Sequence, residues 1–211
     1  MTNPKATLHM ANGADIVIEL LPEAAPNTVN SFIYAASHGY LDHHAIERIV
    51  PGNWVDVSYT AFGHKELQYL IPNEFALNPD VTPLDSHPGC VCMGGYGEAG
   101  LASCEFFFPL RDCPDHKGTY PVFGKVISGM NEIRRIAAVK TVPVDFPIPG
   151  VEVNKPVEPQ VIETVELELY GETYPEPVRV ENPKLPKCWP KIIKTTIKIH
   201  HKNRSIQTKG S

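Results

Sequence analysis

The sequence predicts a mainly β protein, a small closed barrel with its ends plugged by two helices. Short apolar stretches recur along the chain, and many of them alternate with polar residues. Turn-forming residues are abundant, with 21 prolines and 15 glycines among 211 residues. Only two segments carry helical periodicity. Hydrophobic residues make up 42% of the chain, enough for one sizeable core.

The elements follow in order. Residues 6–10 and 14–20 read as a hairpin about the Asn12-Gly13 turn. Residues 25–38 read as a helix: Pro26 suits its first turn, Val29, Phe32, Ile33 and Ala36 share a face, and Gly39 stops it. Residues 40–44 form a loop into a strand at Arg48. Residues 60–88, polar and Pro-containing, read as an excursion rather than core. Residues 89–93 are a short strand, 94–100 a Gly-rich loop, and 105–109 an aromatic strand. Residues 115–118 are a turn, and 120–126 a strand that Pro121 marks as an edge. A second helix covers 128–139, with Met130, Ile133, Ile136 and Ala137 on one stripe. The last strand is 161–170. The barrel domain is expected over 1–175, followed by an extension over 176–211 with a flexible basic tail.

Charge divides the chain in two. Residues 185–211 hold seven Lys/Arg and no acid, whereas residues 1–184 hold 12 basic and 24 acidic residues, a balance of -12. Such a body has no general attraction to nucleic acid; only the basic tail offers a weak possibility. Pro183–Pro190 reads as a linker, and Ile192, Ile193, Ile197 and Ile199 alternate with lysines beyond it. The five cysteines, Cys90, Cys92, Cys104, Cys113 and Cys188, form no CxxC pair and read as buried free thiols. Residues 1–21 lack a cationic start with a long apolar run, and no segment has the length of a membrane span. A cytoplasmic location is expected. Asp42-His43-His44 reads as a solvated loop rather than a metal site, and the glycine run lacks the ending of a phosphate loop.

The segment Glu47–Asp56 stands out. Alternation puts Arg48 and Val50 on one face and, beyond a Pro51-Gly52 turn, Trp54 and Asp56 on one face. A cation, an aromatic ring and a carboxylate can converge there, as in a ligand site with one charged anchor.

Four collinear stretches resemble the cyclophilins, the peptidyl-prolyl cis-trans isomerases. They are Ile18 to Val29; Gly39-Tyr40-Leu41-Asp42 with Glu47 to Gly52; Ser103 to Phe108; and Tyr120 to Met130. The resemblance spans about residues 6–170 and implies an eight-stranded closed antiparallel barrel capped by two helices, in a divergent, bacterial-like member. It implies isomerisation of X-Pro bonds in polypeptides, assistance to protein folding, no cofactor, no metal and a monomer.

Residue by residue, Arg48 matches the catalytic arginine and Phe107 the aromatic floor of the proline pocket. Glu105 and Asp56 each stand where the family carries glutamine, and Trp54 where it carries methionine. Tyr120 falls at a histidine-or-tyrosine position, and Gly94 and Gly95 where backbone meets the peptide. Asn53 replaces a pocket aromatic, Val57-Ser58-Tyr59 a Gly-Gly-Asp turn, and Cys104 the serine of the Ser-Gln-Phe-Phe strand. These departures sustain a rival expectation, a proline-peptide binding module without turnover.

Overall fold

The computed structural model describes residues 2–57, 64–145 and 150–189. Its frame is one large antiparallel sheet. The first hairpin pairs β1 (Lys5–Met10) with β2 (Asp15–Leu20), and alternate residues of each point into the core. Next come α1 (Pro26–Ser37), β3 (His44–Ile46), β4 (Arg48–Val50) and β5 (Trp54–Asp56). They are followed by β6 (Leu70–Ile71), the single-turn helix α2 (Glu74–Leu77), β7 (Cys90–Gly95) and β8 (Leu101–Pro109). The chain continues through β9 (Val122–Ser128), α3 (Met130–Ala137), β10 (Thr141–Pro143), β11 (Asn154–Pro156) and β12 (Gln160–Glu168).

The hydrogen-bonded order is β10-β11-β4-β5-β8-β7-β9-β2-β1-β12-β3, with β6 attached to β8. Among the described residues, twelve strands in an open ladder therefore stand where eight in a closed ring are expected. The difference has a local cause. Glu47 alone separates β3, at one end of the ladder, from β4, near the other. Both segments belong to one continuous stretch of chain, and each half pairs with a different neighbour.

The core lies between the sheet and α1. Phe32 of α1 meets Phe106 edge-on at 5.3 Å and Phe123 at 5.4 Å, all three rings being fully buried. Alternation along β8 sends Phe106 and Phe108 into this core and Phe107 to the other face, among Cys90, Cys92 and Val122. Gly129 precedes α3 at φ 91°, where a Cβ would collide with the Asp15 carbonyl oxygen; only glycine serves there.

Two expectations about organisation change. Within the 60–88 stretch, Leu67, Leu70 and Ile71 are fully buried, and β6 pairs with β8. Its polar composition is misleading because Glu74 is itself buried and points at α1. Carboxylate Oε1 accepts from the Asn27 amide at 3.2 Å, and Oε2 accepts from the Thr28 amide at 2.7 Å and the Thr28 hydroxyl at 2.5 Å. These amides sit in the first turn of α1, whose N-cap, Ala25, supplies no side-chain bond.

The second change concerns the extension expected over 176–211, part of which docks on the body. The Val180 amide donates to the Leu70 carbonyl at 2.8 Å, and Arg179 lies 4.1 Å over the Tyr69 ring. Trp189 is buried in the core cluster. The basic stretch from Pro190 onward, with Ile192, Ile193, Ile197 and Ile199, lies outside the described residues, as do Ser58 and Tyr59. Among the described residues no helix is long and apolar enough to cross a membrane. The five cysteines are free, four of them buried.

Candidate active site

The β4–β5 hairpin builds one wall of a cavity of about 320 Å³. Its register sets Arg48 directly opposite Asp56 and Val50 opposite Trp54, so alternation carries Arg48 and Asp56 to the same face. Strand β8 lies beside β5, pairing Phe107 with Asp56, and Glu105 lies two residues earlier on that face. Strand β7 brings Gly94 and Gly95 to the rim. Gly94 has to be small, since a Cβ there would stand 2.9 Å from the Glu105 carbonyl oxygen.

One side of the cavity is aromatic. Trp54 and Phe107 are 6.0 Å apart, and Tyr120 packs edge-on to Phe107 at 5.9 Å. His116 completes this side, 4.8 Å from Tyr120, 5.6 Å from Phe107 and 5.8 Å from Trp54. Burial pushes the imidazole of His116 below its ordinary value, so it serves at neutral pH as an uncharged ring. The result is an apolar slot lined by planar groups, a shape suited to a flat, weakly polar ring.

The opposite side is polar. The Arg48 Nη1 donates to Asp56 Oδ2 at 2.9 Å, and its Nε donates to the Glu152 carbonyl at 2.9 Å. The guanidinium stands 5.8 Å from the Trp54 ring. Two of its five N–H groups are thus committed, which fixes its plane while leaving donors for a ligand. Asp56 is 3% exposed, and its Oδ1 has no hydrogen-bond donor with a fixed hydrogen among the described residues. Tyr96 donates its hydroxyl to Glu105 Oε2 at 2.6 Å. Burial raises both carboxyls. Arg48 pulls Asp56 back, whereas Glu105, facing the charge of Asp56, is pushed furthest.

Of the residues the sequence singles out, Arg48, Trp54, Asp56, Gly94, Gly95, Glu105, Phe107 and Tyr120 line this one cavity. Asn53 does not. Its Oδ1 accepts from Arg111 at 2.7 Å, and its amide donates to the Pro51 carbonyl, which ties it to the hairpin turn. Sequence reasoning missed His116, Tyr96, Val151 and Cys188, all of which line the cavity. His116 was hidden in a turn-like stretch of polar residues, and Tyr96 in the glycine run. Cys188 arrives from a segment that reads as linker, and nothing local signals its return.

A family model for "Cyclophilin type peptidyl-prolyl cis-trans isomerase/CLD" matches residues 6–167. The chain belongs to this family. A peptidyl-prolyl cis-trans isomerase-like 1 protein of Gibberella zeae is 30% identical over 143 residues, 66% of this chain and 86% of the relative. Peptidyl-prolyl cis-trans isomerase ppi1 of Schizosaccharomyces pombe is 28% identical, over 67% of this chain and 91% of its own. Among solved structures, a Cryptosporidium parvum cyclophilin-type isomerase superposes with a TM-score of 0.60 at 17% identity, covering 79% of this chain and 98% of its own. That likeness is one of fold. The cyclophilin match ends before residue 168, so Cys188 and Trp189 reach the cavity region from outside the family domain.

Proposed function

We propose that the cavity binds an X-Pro segment of a polypeptide and that Arg48 catalyses rotation about its prolyl bond. The C–N bond resists rotation by about 18–20 kcal/mol because of its partial double-bond character. Twisting it localises a lone pair on the proline nitrogen. A donor that reaches this nitrogen only in the twisted state lowers the barrier, and neither nucleophile nor acid–base pair is required. The remaining N–H groups of Arg48 are such donors, always protonated and held at one edge of the aromatic slot. Phe107 forms the floor for the ring, with Trp54, His116 and Tyr120 as walls. Gly94 and Gly95 leave room for peptide backbone. A 10⁵-fold acceleration corresponds to about 7 kcal/mol.

The observation that carries this reading is the convergence of one oriented guanidinium with four planar side chains. A solved cyclophilin-type isomerase studied in the presence of the dipeptide Ala-Pro, with a TM-score of 0.60 at 16% identity, gives the fold a relative associated with the same chemistry. We further infer that the sheet wraps into a barrel with its seam at Glu47, and that a monomer acts on flexible chains during folding in the cytoplasm. The rival reading, a binding module without turnover, draws support from the Arg48–Asp56 ion pair, which partly neutralises the charge offered to substrate.

A protease-coupled or refolding assay on wild type and Arg48→Ala separates the two. Isomerase turnover that falls by about 10³-fold or more in Arg48→Ala, with peptide binding partly kept, is the expected result. Equal turnover in both proteins removes the assignment. Binding without turnover in the wild type establishes the rival.

A further inference from the structure

Glu105 sits partly buried at the cavity wall, beside the fully buried Asp56. It is the one residue of β8 that is not fully enclosed, and no cation bonds to it among the described residues. The hydroxyl of Tyr96 is the donor on Oε2. Its neighbour Asp56 already has Arg48 on Oδ2, while Oδ1 is buried without a donor. Two carboxyls side by side, one oxygen short of a donor and one cation between them, are satisfied together by a single proton. With that proton on Glu105, the acid donates to Asp56 Oδ1, and Asp56 keeps its full charge for Arg48. The opposite placement would leave Arg48 facing a neutral acid and Glu105 charged with no cation bonded to it.

The line of bonds continues outward. The indole Nε1 of Trp189 donates to the Tyr96 hydroxyl oxygen at 2.7 Å, and the two rings meet edge-on at 5.7 Å. The phenol is thereby turned so that its own proton points at Glu105. With the proton on Glu105, donation runs from Trp189 through Tyr96 and Glu105 to Asp56, which also accepts from Arg48.

We propose that Glu105 is a protonated acid at neutral pH that donates to Asp56, and that Tyr96 and Trp189 are positioning residues holding it there. The C-terminal segment is then part of the machinery that orients Arg48. The link to turnover rests on the isomerase reading; the location of the proton does not.

The other groups facing Glu105 are compatible with this. Arg48 on β4 and Asp56 on β5 are the charged ones. Cys104, its neighbour on β8, and Cys188, on the C-terminal segment, are both thiols whose burial keeps them protonated. The remaining Tyr96 phenol is likewise held neutral by burial.

Infrared spectroscopy of the full chain tests this without substrate. A carbonyl band of a protonated carboxylic acid is expected at pH 7 and is lost in Glu105→Gln. No band, or a band kept in Glu105→Gln and lost in Asp56→Asn, overturns the proposal. As pH rises the band disappears at a midpoint. Tyr96→Phe removes a donor that favours the ionised form, so the midpoint moves up. Trp189→Phe moves it the same way by less, since it weakens the phenol only indirectly. Midpoints unmoved in both variants overturn the positioning role.

Wild-type kcat/KM then falls above the same midpoint to a lower plateau, and the Glu105→Gln profile is flat there. A wild-type profile without that limb overturns the link to Arg48. An intact band in a protein without turnover at any pH overturns the isomerase reading instead. Turnover that depends on Arg48 without the band does the reverse.

Discussion

Two glutamates, one fully buried and one at the cavity wall, serve this molecule in opposite ways. Glu74 is fully buried, and its carboxylate accepts from two backbone amides, a threonine hydroxyl and the Asn78 amide. Three of these four donors lie at the start of α1, where an uncapped helix end presents N–H groups and a partial positive charge. Among the described residues Glu105 has one donor, Tyr96, and a second carboxyl beside it. Glu105 is only partly buried, at the cavity wall, and yet it is the one with fewer donors. Where donors are complete the acid organises the fold. Where they are short it has to take a proton, and it becomes sensitive to solution conditions. The lesson is that a buried acid has to be read from its donors rather than from its depth.

The largest expected effect lies at the satisfied site. Glu74→Ala strands the Asn27 and Thr28 amides and the Thr28 hydroxyl in a buried setting, and each unpaired group costs about 1–3 kcal/mol. A loss of about 3–5 kcal/mol in denaturant unfolding is expected, with the isomerase activity of the folded fraction unchanged. A loss below about 1 kcal/mol would mean that water replaces the carboxylate and would remove the contrast.

The opposite sign is expected at Glu105. Its folded value lies well above the ordinary 4.5 because of burial and the charge of Asp56. Between those two values the folded state binds one proton more than the unfolded state. Stability from this group is therefore fully present below about the unfolded value and declines as pH rises toward the folded one. Glu105→Gln removes that decline and, near neutral pH, raises stability by roughly 1–2 kcal/mol. Unfolding curves at pH 5 and pH 8 check it: wild type loses stability over that range relative to the variant. Parallel behaviour of the two proteins would mean the carboxyl is not raised.

The contrast also marks how far the sequence could be read. The Arg48–Asp56 hairpin is legible because alternation and a Pro-Gly turn fix its register within ten residues, and Phe107 follows from the same period of two along β8. Both long helices are legible from their apolar stripes. Glu74 is not, because its partners are 46 and 47 residues away and a glutamate among polar residues reads as surface. Trp189 is invisible for the same reason, since its bond to Tyr96 spans 93 positions. The open ladder was missed because β3 and β4 belong to one stretch of chain that changes partners at Glu47. Local pattern gives elements and registers; contacts that close over long separations are set by the whole packing.

The smallest expected effect sharpens the contrast from the other carboxyl. In Asp56→Gln the amide carbonyl can still accept from Arg48, and the neutral side chain removes the charge that holds the proton on Glu105. Glu105 then moves down toward its ordinary range, although burial still opposes its ionisation. Arg48 meanwhile loses its ion pair, so more of its field reaches the cavity and, on the proposed reading, the proline nitrogen. These changes act against each other on the barrier, because a better donor is gained while one fixed contact is weakened. Isomerase activity in Asp56→Gln is expected to be retained or raised within about threefold, a change of roughly 0.65 kcal/mol or less in the barrier. Measured kcat/KM on an X-Pro peptide, beside circular dichroism to verify folding, decides it. A loss of about 100-fold in a folded protein would show that Arg48 needs the charge of Asp56 as well as its geometry, and that the acid pair contributes more than orientation.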